Sequence, residues 1–373
     1  MRQIPLTPWN WQLEGWPDFA YDREALVRSE ARFLRHGGEG VGVFKHLVGE
    51  SGREFIADAA TSEAVSTSAI EGETLNRASV RSSILRHLGA PSDGRSVAPR
   101  EEGVARMMVD LLRSPIEELT HGRLWNWHGM LMAGRRDLAV IGGYRVHQEP
   151  MRVVSGAVGH EVVHFEAPPS GRVPSEMERF LGWFSETKGS ATPVARSGLA
   201  HLRFECVHPF EDGNGRIGRA IAELALAQGL GHPCLTMLSS EIEARQRDYY
   251  AHLERAGRSL DATDWLLWWA EMVLAAQQRV SALLEFVLFK VRLLDGLKDR
   301  LNPRQEKALL RVFREGPAGF TGGLSSKNYQ TITGASPATA GRDLSELVAL
   351  GAMIRTGVGK GSRYWLNRAQ DAP

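Results

Sequence analysis

One stretch, His208-Pro209-Phe210-Glu211-Asp212-Gly213-Asn214-Gly215-Arg216-Ile217-Gly218-Arg219, gathers groups suited to chemistry on phosphate. His208 can accept a proton near neutral pH. Asp212 is a hard oxygen ligand of the kind Mg²⁺ prefers when it also holds a nucleotide's phosphates. Gly213, Asn214 and Gly215 carry little bulk, so their N–H groups can converge on an anion. Ile217, Ile221 and Leu224 recur on one face, so a helix leaves this loop and turns its positive end toward it. Arg216 and Arg219 add two planar guanidinium forks. A base, a metal ligand, an anion nest and two clamps are the parts that phosphoryl-type transfer uses, by positioning and charge neutralisation. A capped turn explains any one of these residues but not the combination.

The segment matches the signature HxFx[DE]GNGRxxR at His208, Phe210, Asp212, Gly213, Asn214, Gly215, Arg216 and Arg219. On this ground the chain resembles Fic-domain protein adenylyltransferases, roughly from Ala105 to Val280. Gly143-Tyr144-Arg145, the Val-rich segment after it and Pro168-Pro169 look like the family's flap, which holds a target segment by strand addition. Tyr249-Tyr250 followed by Leu253 resembles the tyrosine-containing helix near the nucleotide base. The resemblance implies that His208 takes the proton from a Ser, Thr or Tyr hydroxyl of a target protein, whose oxygen attacks the α-phosphorus of ATP. Asp212 would hold Mg²⁺ on the phosphates, and Asn214 with Gly213 and Gly215 would stabilise charge. Arg216 and Arg219 would hold the outer phosphates, with Tyr249 and Tyr250 near the base. Phe210 would anchor the loop in the core.

Thr67-Ser68-Ala69-Ile70-Glu71-Gly72 matches the family's inhibitory motif [ST]xxxE[GN]. Thr67 and Glu71 stand four apart on one helix face. A carboxylate delivered to Arg219 would occupy the γ-phosphate clamp. Some family members also remove AMP, with the same glutamate aligning a water. A de-AMPylating or bifunctional enzyme is therefore the alternative within the class. A nucleotide-sensing, DNA-binding regulator is the alternative from another class.

The elements that must position these residues read as mainly α. Helical patterns are expected from Asp22, with a break at Gly37 to Gly42, then over Arg53–Ala69, Asn76–Leu88, Val104–Leu112 and Leu119–Met132. Tyr144–Ser155 and Glu161–Phe165 read as a small β-hairpin. Helices return at Glu176–Thr187 and Val194–Val207, and after the glycine loop. Asp261–Val280 follows with Trp265, Trp268, Trp269, Met272 and Val273 on one face. Pro303–Phe313, Ser325–Ile332 and Pro337–Leu350, then strands Ala352–Thr356 and Ser362–Leu366, give the order of a winged helix. The expected division is an N-terminal helical domain carrying the inhibitory helix (1–95), a Fic catalytic domain (96–295) and a winged-helix domain (296–373). Trp9, Trp11 and Trp16 mark an N-terminal arm that docks on the body.

His160-Glu161-Val162-Val163-His164 reads as HExxH, a zinc-protease pattern when helical. Valines at its centre and Pro168-Pro169 after it favour a strand, where positions i and i+4 lie about 13 Å apart and cannot share a metal.

The 373 residues carry a net charge of +1, 43% apolar and 24% charged side chains, and two cysteines, Cys206 and Cys234. That excludes a disulfide framework and an overall basic, nucleic-acid-type charge. The longest apolar stretch, Trp265–Ala276, falls short of the about 20 residues needed to span a bilayer, so no membrane partner and a cytoplasmic location are expected. From Arg300 onward eleven basic residues face five acidic ones, which makes duplex DNA a candidate partner of the C-terminal domain through a basic third helix and wing. The main expected partner is a hydroxyl-bearing target protein, and a homodimer is allowed.

Overall fold

Amphipathic spacing and local capping set most of the architecture. A computed structural model describes residues 8–44, 50–113, 117–156, 162–232, 236–317 and 319–368. Helices α1 (Arg23–Phe44), α2 (Glu50–Ile70), α3 (Arg77–His87), α4 (Pro99–Arg113) and α5 (His121–Leu131) precede a hairpin of β1 (Arg152–Ser155) and β2 (Val162–Glu166). Then come α6 (Val173–Glu186), α7 (Pro193–Val207), α8 (Asn214–Leu230), α9 (Leu238–Ala244), α10 (Gln246–Ala256) and α11 (Thr263–Gly296). The chain continues with α12 (Pro303–Arg314), α13 (Ser326–Thr333), α14 (Pro337–Ala349), β3 (Met353–Thr356) and β4 (Arg363–Leu366). Side chains of Asn76, Thr120, Asn302, Ser325 and Ser336 accept the first free N–H groups of α3, α5, α12, α13 and α14, which is why those helices start where they do.

The residues form two units, one up to Val280 and one from Ser281. In the first, a single core runs from Trp16 and Phe33 through Val104, Trp127 and Phe204 to Trp269 and Leu274. The N-terminal helices expected to end at residue 95 share this core. α7 and α8 lie at its centre: nearly every residue of α7 and most of α8 are buried.

Three expectations change. The glycines from Gly37 to Gly42 do not break α1, which runs through to Phe44. Gly37 lies against Leu230, and a Cβ there would come within 2.6 Å of that side chain, so it serves close packing. The β-structure is shorter than Tyr144–Ser155, because Tyr144 and Arg145 turn inward to the loop at residue 208 and do not extend the hairpin. β1 pairs antiparallel with β2, Arg152 opposite Glu166 and Ser155 opposite Val162, with a bulge between Val153 and Val154. The helix at Trp265 extends to 34 residues, and its best window has a mean hydropathy of 1.4, long and apolar enough to cross a membrane by length and composition. Its Trp265 indole donates to the Gly198 carbonyl (2.9 Å), Trp269 to Ser197 Oγ (3.2 Å) and Gln277 to the Phe33 carbonyl (3.0 Å). These contacts pack its first half, up to Val280, into the first unit's core, while Phe286, Phe289 and Leu293 belong to the second unit's core.

Of the HExxH pattern, His160 and Glu161 lie outside the described residues, as does Cys234. His164 stands on β2, where it meets Ser155 Oγ (2.6 Å) and Glu254 (3.0 Å). Trp11 donates to the Glu166 carbonyl (2.7 Å), and Trp9 packs edge-on against Phe165, so the N-terminal arm braces the hairpin.

In the second unit α12, α13 and α14 precede the β3–β4 hairpin, with Met353 opposite Leu366 and Thr356 opposite Arg363. Asp343 ties the three helices, accepting from Arg304 Nε (2.9 Å), Tyr329 Oη (3.0 Å) and Asn302 Nδ2 (3.1 Å). The third helix is not basic: Arg342 is its cation, and Asp343 and Glu346 offset it.

Candidate active site

Everything converges on the junction between α7 and α8. α7 ends at His208, which adopts a left-handed conformation (φ 49°, ψ 59°). For a residue with a Cβ this costs about 1–3 kcal/mol, and Arg145 holds it in place. The Arg145 guanidinium donates to the carbonyls of His208 (2.7 Å) and Pro168 (2.6 Å), and its N–H donates to the Pro209 carbonyl (2.9 Å). Burial pulls the Arg145 pKa down to about 10.

His208 is half-buried, with Nδ1 3.3 Å from the Glu205 carbonyl and 3.8 Å from the Glu205 carboxyl. A proton on Nδ1 would find an acceptor there, which suits the tautomer with Nε2 free that a base requires. Burial, followed by the charge of Arg145, depresses its pKa to about 4. Glu205 moves the other way: burial, then the nearby charge of Glu71, raises it to about 8.

Asn214 closes the loop. The Phe210 N–H donates to its Oδ1 (2.9 Å) and its Nδ2 donates to the Phe210 carbonyl (2.8 Å). Its amide holds the loop backbone instead of facing a phosphate, the role the resemblance implied for it. Phe210 is fully buried and stacks on His128 at 4.3 Å, as expected of an anchor. Gly213 takes a positive φ of 83°, which opens α8 with its N–H groups facing the loop's concavity.

Asp212 is ionised: burial opposes its charge, but Arg216 and Arg135 hold its pKa below the usual carboxylate range. Arg135 Nη1 donates to one of its oxygens (2.7 Å) and Arg216 Nη2 to the other (3.1 Å). A single ionised carboxylate at the mouth of an anion nest suits Mg²⁺, which takes one or two carboxylates and leaves its other positions to water and phosphate. The donor set therefore fits a magnesium–nucleotide complex, with the arginine contacts yielding to it.

Arg219 is 1% exposed. Its Nε donates to Thr67 Oγ1 (2.7 Å), and its Nη2 donates to the Thr67 carbonyl (2.8 Å) and to Glu71 (2.7 Å). Nη1 is buried with no partner. Burial works against its charge, but Glu71, with smaller contributions from Tyr249 and Glu205, leaves its pKa raised. The structure thus brings Thr67 and Glu71 onto Arg219. A Cβ on Gly215 would meet the Glu71 carboxylate at 2.1 Å, so the glycine lets Glu71 approach α8 this closely.

The two tyrosines part company, because adjacent helix positions point about 100° apart. Tyr249 is a core residue, 1% exposed, with its hydroxyl on His201 Nε2 at 2.8 Å. It does not reach an open nucleotide surface. Tyr250 faces outward and donates to the Ile70 carbonyl (3.0 Å), beside Gln246 on the same oxygen (2.7 Å). Sequence reasoning passed over Arg135, Glu205 and Glu73, which pairs with Arg216 at 2.6 Å, and it placed Arg145 on the flap, whereas its guanidinium holds the backbone at His208 and Pro168. Glu205 alone left a signal, one helical turn before His208.

Residues 118–226 match the Fic/DOC family, and residues 9–90 match a domain of unknown function, DUF4172. Residues 118–226 thus carry a Fic-type domain. Among named relatives it is 30% identical over 188 residues to a protein adenylyltransferase Fic of Drosophila virilis, covering 49% of this chain and 35% of the relative. A probable protein adenylyltransferase of Aquifex aeolicus is 36% identical over 64 residues, 17% of this chain and 20% of the relative. The chain thus spans about a third of the length of the Drosophila relative. Among solved structures, a Fic family protein from Desulfovibrio desulfuricans superposes with a TM-score of 0.54 at 24% identity, over 94% of this chain and 98% of that one. A Fic domain containing signaling protein from Bacteroides thetaiotaomicron gives 0.50 at 18%, over 66% and 96%. Both likenesses concern the fold.

Proposed function

We propose that the chain transfers AMP from ATP to a Ser, Thr or Tyr hydroxyl of a target protein, and that Glu71 restrains this activity. The observation that carries the reading is Arg219: a buried guanidinium at the start of an anion-facing helix, held by Thr67 and Glu71, with one nitrogen unpartnered. Such a group is built for an anion, and Glu71 occupies the place of one. His208 Nε2 would accept the hydroxyl proton as the oxygen attacks the α-phosphorus, with pyrophosphate leaving along α8. The N–H groups of the loop would take the developing charge. Asp212 would hold Mg²⁺, which neutralises phosphate charge. Strand addition along β1 and β2, where Val154, Val162 and Val163 are exposed, would present the target hydroxyl.

The test uses labelled ATP and a cell lysate, followed by mass spectrometry of the modified residues. Label should enter protein hydroxyls, rise in Glu71→Gly and vanish in His208→Ala. Labelling that survives His208→Ala would overturn the assignment of the base. Loss of label from a premodified target in the wild-type chain would favour the reverse reaction.

A further inference from the structure

The turn that ends α2 delivers a second carboxylate, which the inhibitory motif does not include. The Glu73 N–H donates to the Ser68 carbonyl (2.9 Å) and the Gly72 N–H to the Ala69 carbonyl (2.9 Å), with Gly72 at φ 78°. This closing turn of a helix has a fixed geometry. It sets Glu71 and Glu73 two residues apart on either side of Gly72. Arg216 and Arg219 stand three apart on α8 and are neighbours on its surface. The two pairs meet: Glu71 on Arg219 at 2.7 Å and Glu73 on Arg216 at 2.6 Å. Arg216 is 4% exposed and Glu73 19% exposed, so this is no solvated surface pair. Arg216 Nε is buried without a partner, and Nη2 also holds Asp212 (3.1 Å).

We propose that Glu73 is a second arm of the restraint, masking the Arg216 clamp while Glu71 masks Arg219. The inference rests on the nucleotide-transfer reading. A nucleotide's outer phosphates would bring like charge against both carboxylates, so their seat on α8 and the phosphates exclude each other. Because Arg216 also grips Asp212, the arm at Glu73 bears on the metal ligand as well as on the clamp. The fixed turn makes the two carboxylates enter and leave together. Removing Glu71 alone therefore leaves Glu73 in place.

The test is calorimetric binding of ATP with Mg²⁺ to four full-length chains that all carry His208→Ala: otherwise unchanged, with Glu71→Gly, with Glu73→Gln, and with both. Glu73→Gln should tighten ATP about three- to tenfold, and the double change should bind more tightly than Glu71→Gly alone. AMP, which lacks the outer phosphates, should bind equally well with and without Glu73→Gln. Glu73→Asp, which keeps the charge, should stay nearer the unchanged chain than Glu73→Gln does. ATP affinity that is unchanged or weaker on losing Glu73 in both backgrounds overturns the proposal. So does an equal gain for AMP, which would mean a general loosening. If the folded chains bind no ATP at all, the nucleotide-transfer reading fails instead.

Discussion

Glu71→Gln is the sharpest perturbation of the restraint, because it keeps the shape and removes only the charge. In the structure the Glu71 carboxylate sits 2.7 Å from Arg219 Nη2, while Thr67 holds the rest of the guanidinium at 2.7 and 2.8 Å. Arg219 should therefore stay where it is. A charge-assisted hydrogen bond contributes about 1.5–3 kcal/mol, and the 29% exposure of Glu71 argues for about 1–2 kcal/mol after screening. That corresponds to about a five- to thirtyfold shift in the competition between carboxylate and γ-phosphate. Initial rates of labelled-AMP incorporation, at ATP below saturation, should rise by that factor. Stability should move the opposite way, because a buried guanidinium loses its countercharge, and the unfolding midpoint in urea should fall. A rate within twofold of the unchanged chain, together with a lowered midpoint, would refute the reasoning. The pair would then be a structural staple.

Asn214→Ala should strip both partners from the Phe210 backbone, costing about 2–4 kcal/mol in urea unfolding and abolishing transfer. A loss below about 0.5 kcal/mol would contradict its role as the loop's clasp. The pH profile of the rate should carry its acidic limb near pH 4. The folded pKa of His208 lies below the ordinary 6.5, so the neutral base persists until the pH falls through about 4, and its contribution to stability is present above 6.5 and lost over the same descent. Glu205, raised to about 8, contributes stability that is full below about 4.5 and lost as the pH rises through 8. Glu205→Gln should therefore flatten the fall of the urea midpoint between pH 5 and pH 8. Binding of the full-length chain to duplex DNA, followed by fluorescence anisotropy, should weaken with added salt and with Arg342→Ala, and no binding at low salt would remove DNA as a partner.

The candidate site was largely legible because its parts are contiguous. His208 through Arg219 is one loop and one helix start, so base, nest, metal ligand and clamps follow from residue type and local geometry. The contact of Thr67 and Glu71 with Arg219 was legible for a similar reason: they are four apart, a distance that helical periodicity converts into one face. The helices with a capping residue were read within a few positions of their ends, whereas the Trp265 helix, read by its stripe to Val280, runs on to Gly296. Gly37 misled because a glycine's role depends on its neighbour, and only packing shows that Leu230 leaves no room for a side chain.

By itself, then, the sequence placed the groups suited to chemistry on phosphate in one local segment. Tertiary structure decided which groups are free for that chemistry. It sank Tyr249 into the core beside His201, brought Arg135 across to Asp212 and set Glu73 on Arg216. The partners in these pairs lie 48 to 143 residues apart. No local spacing encodes such pairings, because they exist only once the buried faces of α2, α7 and α8 have closed on one another and charges removed from water must find opposite charges.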